Sequence, residues 1–157
     1  MSARRNRRGF SLIELVIVVV IIAIIGAIAI PKMSRGSAGA NDSAVTQDLA
    51  TMRSSLDLFA SEHGGTYPTA ANVITQLTTY TDINGNTNAA KTTVFIYGPY
   101  LKAIPMLPVG TNKGLNTITT TGPAGTGTFA WYYDGTSMWA NDPGTDVDVK
   151  GTAYNTY

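Results

Sequence analysis

The hydrophobic pattern of the chain has two regimes. From Phe10 to Ile30, 21 residues run with Glu14 as the only charge and Ser11 as the only other polar side chain. A helix of that length rises about 31 Å, roughly the thickness of a bilayer's hydrocarbon core. The pattern therefore predicts a membrane-spanning helix over residues 10–31, closed by Pro31. Beyond it the chain turns polar but stays periodic. Gly36 and Gly39 make residues 32–43 a poor helix in isolation. From Ala44 onward Val45, Leu49, Met52, Leu56 and Phe59 recur on one helical face, with Asp48, Arg53, Asp57 and Glu62 off the stripe. An amphipathic half of the same helix is expected over residues 32–63, stopped by Gly64-Gly65.

Residues 64–157 read as a small globular head. Gly65-Thr66-Tyr67-Pro68-Thr69 is a turn, followed by a short helix near Ala70 to Thr79 with Val73, Ile74 and Leu77 facing inward. Asp82 to Lys91 is a polar loop centred on Asn84-Gly85. Thr93 to Tyr97 is a candidate strand, and the three prolines of GPYLKAIPMLP exclude regular structure across that phrase. Leu115 to Thr121 alternates weakly. A Gly/Thr-rich connection then leads to Phe129–Tyr133, with Asp134-Gly135 turning the chain into Ser137–Ala140. Short strands of this kind need a surface to cover, and the stripe from Val45 to Phe59 is the natural one. Alternation splits Trp131, Tyr132, Tyr133 and Trp139 between core and surface. The tail from Asn141 to Tyr157 shows no clear periodicity. The expected fold class is α+β, a long helix carrying a small antiparallel sheet.

Charge changes this picture at one end only. Arg4, Arg5, Arg7 and Arg8 precede the apolar run; without residues 1–9, seven basic side chains face ten acidic ones, a net −3 that leaves no basic surface for nucleic acid. The arginines read as a cytoplasmic anchor, which predicts a single-pass inner-membrane protein with the head outside. No cysteine is present, so a disulfide or a thiolate metal site is excluded. One histidine, His63, sits in the last turn of the expected helix, where the helix dipole favours it. No phosphate-binding glycine motif and no evident catalytic pair accompany it, so an enzyme is not expected.

A signal peptide would have a shorter apolar core, usually about 7–15 residues, and would not carry Glu14 inside it. A plain anchor would do better with an apolar residue there, since a carboxylate in a spanning helix is costly and usually functional. A non-polymerising, membrane-anchored binding module is the alternative of another class. The string Gly9-Phe10-Ser11-Leu12-Ile13-Glu14-Leu15, after a basic leader and before an apolar helix, resembles the N-terminus of bacterial type IV pilins and type II secretion pseudopilins.

That resemblance implies a leader, residues 1–9, removed by a prepilin peptidase between Gly9 and Phe10, with N-methylation of Phe10. It implies that the Glu14 carboxylate pairs with the Phe10 amine of a neighbouring subunit, so that the chain forms a homopolymer through its N-terminal helices. An inner-membrane assembly platform and, before assembly, membrane lipid are the further implied partners, and a periplasmic or cell-surface filament is the product. Gly26 and Pro31 fall where a proline without an N–H weakens the helix. The phrases around Tyr67-Pro68-Thr69 and Tyr100-Leu101 resemble the heads of major pseudopilins, and with the missing cysteines they favour a type II secretion pseudopilin over a surface pilin for adhesion, motility or DNA uptake. Asp142, Asp146 and Asp148 form an oxygen-rich group of the kind that holds calcium, and some major pseudopilins have such a site in their C-terminal loops, although the spacing is not that of an EF-hand. No other cofactor is expected.

Overall fold

The structure, a computed structural model, describes residues 9–122 and 124–157, with only the backbone described for residues 29–35. The arginines of the leader lie outside the described residues. Two compact units are present, residues 1–37 and 38–157.

The first helix, α1, spans Leu12–Glu62. Ser11 caps it: its carbonyl accepts the N–H of Leu15 at 3.3 Å, and its own N–H is taken by Glu14 Oε2 at 2.8 Å. The helix persists through Gly26, Pro31, Gly36 and Gly39. The expected membrane-spanning half, and with it the single-pass inner-membrane placement, is corrected. Among the described residues no helix is long and apolar enough to cross a membrane. The helix starts at Leu12 rather than Phe10.

In the second unit the stripe behaves as its spacing requires. Val45, Leu49, Met52, Leu56 and Phe59 are buried and form one wall of the core. The helix stops at the glycine pair: the Gly65 N–H reaches back to the Ala60 carbonyl at 2.7 Å, with Gly64 at φ 65° and Gly65 at φ 87°, a conformation glycine adopts without penalty. The second helix, α2, is the short Val73–Thr78. It buries Val73 and Leu77, but Ile74 is 42% exposed, because six residues present only one narrow face.

Two small sheets complete the head. In the first, β1 (Tyr80–Thr81) pairs antiparallel with β2 (Thr87–Asn88) around the Asn84-Gly85 turn. In the second, β3 (Ile118–Thr119), β4 (Trp131–Tyr133) and β5 (Met138–Ala140) lie in that order. The β4–β5 hairpin is antiparallel, with Trp131 opposite Ala140 and Tyr133 opposite Met138. The β3–β4 pair is parallel, so the expectation of a purely antiparallel sheet is also corrected; the long Gly/Thr-rich connection is what permits the crossover. The candidate strand at Thr93–Tyr97 reduces to one bridge between Tyr97 and Thr81. In the proline-rich phrase Leu101, Ile104 and Leu107 point into the core, and the Tyr100 and Leu101 N–H groups both donate to the Leu77 carbonyl at 2.9 Å.

Candidate functional site

The N-terminal segment is accessible and locally organised. Gly9 and Phe10 are exposed, Phe10 by 81%. Three residues after Ser11, Glu14 sits in the first turn of α1, where its charge complements the positive end of the helix dipole and its side chain closes half of a capping box. That box is the Ser-x-x-Glu pattern of residues 11–14, a role for Glu14 that the sequence carried and that the charge-pairing expectation overlooked. From Phe10 to Ile28 every large apolar side chain is at least 45% exposed. The Pro31 side chain lies outside the described residues.

The three aspartates expected to hold calcium do not converge. Asp142 is fully buried, and its Oδ1 accepts the Asn112 N–H at 3.2 Å. Asp146 accepts both the N–H and the hydroxyl of Thr111 at 2.7 Å. Oδ2 of Asp142 is the one buried side-chain N or O atom among the described residues without a hydrogen-bonding partner. Burial, followed by the repulsion of Asp146, pushes Asp142 up to about 6 against the pull of the Asn112 N–H. Asp148 is engaged elsewhere. It accepts the Lys150 and Thr152 N–H groups at 2.8 Å and the Tyr157 hydroxyl, which hold its carboxyl below the ordinary range. No group of three His, Cys, Asp or Glu side chains among the described residues is arranged for a metal ion. The set does not fit calcium.

What these acids do instead is fasten the tail. Asp42 on α1 accepts the Tyr154 hydroxyl at 2.5 Å and the Val149 N–H at 3.0 Å, 112 and 107 residues away in sequence. Burial, then the Asp42 contact, raises Tyr154, and the Asp148 contact, then burial, pushes Tyr157 up to about 12. Arg53 completes the fastening, with Nε to the Met138 carbonyl at 3.0 Å, Nη2 to the Tyr157 main-chain oxygen at 2.8 Å, and its guanidinium 5.2 Å from the Trp139 ring centroid. Asn141 organises the Gly/Thr-rich connection. It is fully buried, receives the Gly125 and Thr126 N–H groups, and donates to the Thr126 and Phe129 carbonyls. Neither Arg53 nor Asn141 announces these roles in the sequence, since each partner is distant along the chain.

The aromatic residues divide as alternation requires. Trp131 and Tyr133 are buried, with the Trp131 indole donating to the Pro105 carbonyl and the Tyr133 hydroxyl to the Pro68 carbonyl, both at 2.8 Å. Tyr132 and Trp139 lie half-buried on the other face. The Trp139 indole donates to Asp134, which also accepts the Thr136 and Ser137 N–H groups. Burial works against ionisation of Asp134, but these donors outweigh it and bring the group down to about 2.

Residues 4–30 match the family model described as the prokaryotic N-terminal methylation motif. No curated protein and no solved structure matches the chain. The motif is typical of type IV pilins and pseudopilins.

Proposed function

We propose that this chain is a structural subunit of a type IV pilus-like filament, and within that class a major pseudopilin of a type II secretion system. The observation that carries this reading is the methylation motif coinciding with an apolar helix whose large side chains from Phe10 to Ile28 stand exposed all round. Apolar area left in water costs about 25 cal/mol per Å². Packing like helices side by side removes that cost, so the surface favours a homopolymer built through the N-terminal helices.

In this reading a prepilin peptidase hydrolyses the Gly9-Phe10 bond, leaving a carboxylate on Gly9 and a new amine on Phe10. Monomethylation keeps that amine cationic. The Glu14 carboxylate of one subunit then pairs with the Phe10 amine of the next, in surroundings that the packed helices make apolar and where a charge pair is strong. Pro31 offers no N–H to the Ala27 carbonyl, and with Gly26 one turn earlier it makes residues 26–31 the part of α1 that yields as subunits pack. A filament assembly platform is the remaining partner. The cysteine-free chain and the Tyr100-Leu101 segment docked on Leu77 and Glu62 support the secretion subclass.

Co-expression with the assembly machinery of a secretion system, and separately with that of a surface pilus, tests both levels. Filaments containing this chain with the secretion machinery are expected. Filaments with the pilus machinery alone would contradict the subclass, and none with either would contradict the filament reading itself.

A further inference from the structure

Residues 36–43 lie inside α1 but are poorly suited to a helix. Gly36 and Gly39 lose the most backbone freedom there, and Asn41, Asp42 and Ser43 offer the backbone competing hydrogen bonds. One of these forms: the Ser43 hydroxyl donates to the Gly39 carbonyl at 2.9 Å, a bond that weakens a helix slightly. Gly39 does not serve to admit a neighbour, since a methyl group in its place would meet nothing within 4 Å. The buried apolar stripe that holds the rest of the helix begins only at Val45.

What touches this stretch comes from the far end of the chain. Val147 bridges Ala153 antiparallel, and the Asp148 N–H donates to the Thr152 carbonyl at 2.9 Å. The Asp148 carboxylate takes the Lys150 and Thr152 N–H groups, so residues 147–153 form a hairpin held by its own bonds. A 3₁₀ turn, Tyr154–Thr156, follows. The hairpin presents the Val149 N–H, and the turn presents the Tyr154 hydroxyl, one to each oxygen of Asp42. Asp42 is 9% exposed, and a carboxylate so buried needs such donors. Gly39, Asp42 and Ser43 share a cavity of about 180 Å³ with Asp148, Val149 and Tyr157. The two sides of this contact are unequal. The hairpin organises itself, whereas residues 39–43 have neither helix propensity nor apolar burial to hold them.

We propose that the tail is a strap that keeps residues 39–43 helical, and that this turn unwinds as far as Val45 when the strap lifts. With the strap lifted, Asp42 loses both tail donors and the turn loses its cover from water, so local propensity alone governs it. From Val45 onward the buried stripe holds the helix in either state. The tail thereby sets where the firm part of α1 begins in the second unit, and it does so within a single chain, independently of any filament.

Amide exchange of the full chain, followed in low urea, tests the coupling in wild type. The Val149 N–H and the amides of residues 39–43 are expected to open in one step with the same urea dependence, while Met52 and Leu56 exchange only on global unfolding. Residues 39–43 opening while the Val149 N–H stays protected, or opening only with Met52 and Leu56, overturns the proposal. Tyr154→Phe removes one of the two donors. Exchange at residues 39–43 is expected to quicken roughly tenfold, the equilibrium worth of one hydrogen bond, with Met52 and Leu56 unchanged. Adding Gly39→Ala, for which there is room, should restore much of the protection by raising helix propensity alone. Exchange unchanged by Tyr154→Phe, quickened equally at Met52 and Leu56, or not slowed by Gly39→Ala contradicts the strap. The wild-type measurement stands even where Tyr154→Phe fails to fold.

Discussion

The Ser11 N–H donates to Glu14 Oε2 at 2.8 Å, so in the single chain the one charged side chain of the apolar run caps its own helix. This gives Glu14 two separable roles, a hydrogen-bonding one within the chain and a charged one between chains. Glu14→Gln keeps an oxygen for the Ser11 N–H, since glutamine serves in a capping box, but removes the charge. Glu14→Ala removes both. Filament incorporation is expected to fail in both variants. Helix content by circular dichroism should fall only in Glu14→Ala. Incorporation of Glu14→Gln at the wild-type level would show that the cap suffices and that the charge pair is unnecessary.

Asn141→Ala leaves several buried groups of the Gly125–Phe129 connection without partners. Each unsatisfied group costs about 1–3 kcal/mol, so a loss of about 3 kcal/mol or more in urea unfolding is expected. Hydrogen exchange should quicken first at Gly125 and Thr126, whose N–H groups lose their acceptor.

Arg53→Lys tests the tail fastening. A lysine has a single nitrogen and cannot reach the Met138 carbonyl and the Tyr157 oxygen together in the arginine's planar geometry. A destabilisation of about 1–2 kcal/mol is expected by chemical denaturation, with loss of the ordered Tyr154–Tyr157 contact by NMR. An unchanged unfolding midpoint would show that the tail adds nothing to the head.

Asp142 gives a pH dependence of defined sign. Its folded value is pushed up to about 6, above the ~3.9 of an unfolded aspartate, so the native state binds this proton more tightly. Its contribution is fully present below about pH 4, declines as pH rises through about 6, and is absent above that. Asp142→Asn places a permanent donor beside Asp146 and should flatten the profile between these values. Because the acids do not form a metal group, melting of the full chain should be the same with calcium and with chelator; a calcium-dependent rise would contradict that arrangement.

The buried stripe from Val45 to Phe59, the Gly64-Gly65 stop and the Asp134-Gly135 hairpin were legible in the sequence because each depends on neighbours within a few residues. The β1–β2 pair and the parallel β3–β4 pair were not, since two-residue strands carry no alternation to read. Gly36 and Gly39 make a poor helix in isolation, yet α1 continues through both. The aspartates of the tail looked like one cluster because they are close in sequence. The chain separates them, turning Asp142 toward Asn112 and Asp148 toward Tyr157.

The central claim concerns the new N-terminus, and mass spectrometry of the mature chain tests it most directly. Co-produced with a prepilin peptidase, the chain is expected to begin at Phe10 and to carry one methyl group on its amine. A chain still beginning at Met1, or one beginning at Ile30, would contradict the account.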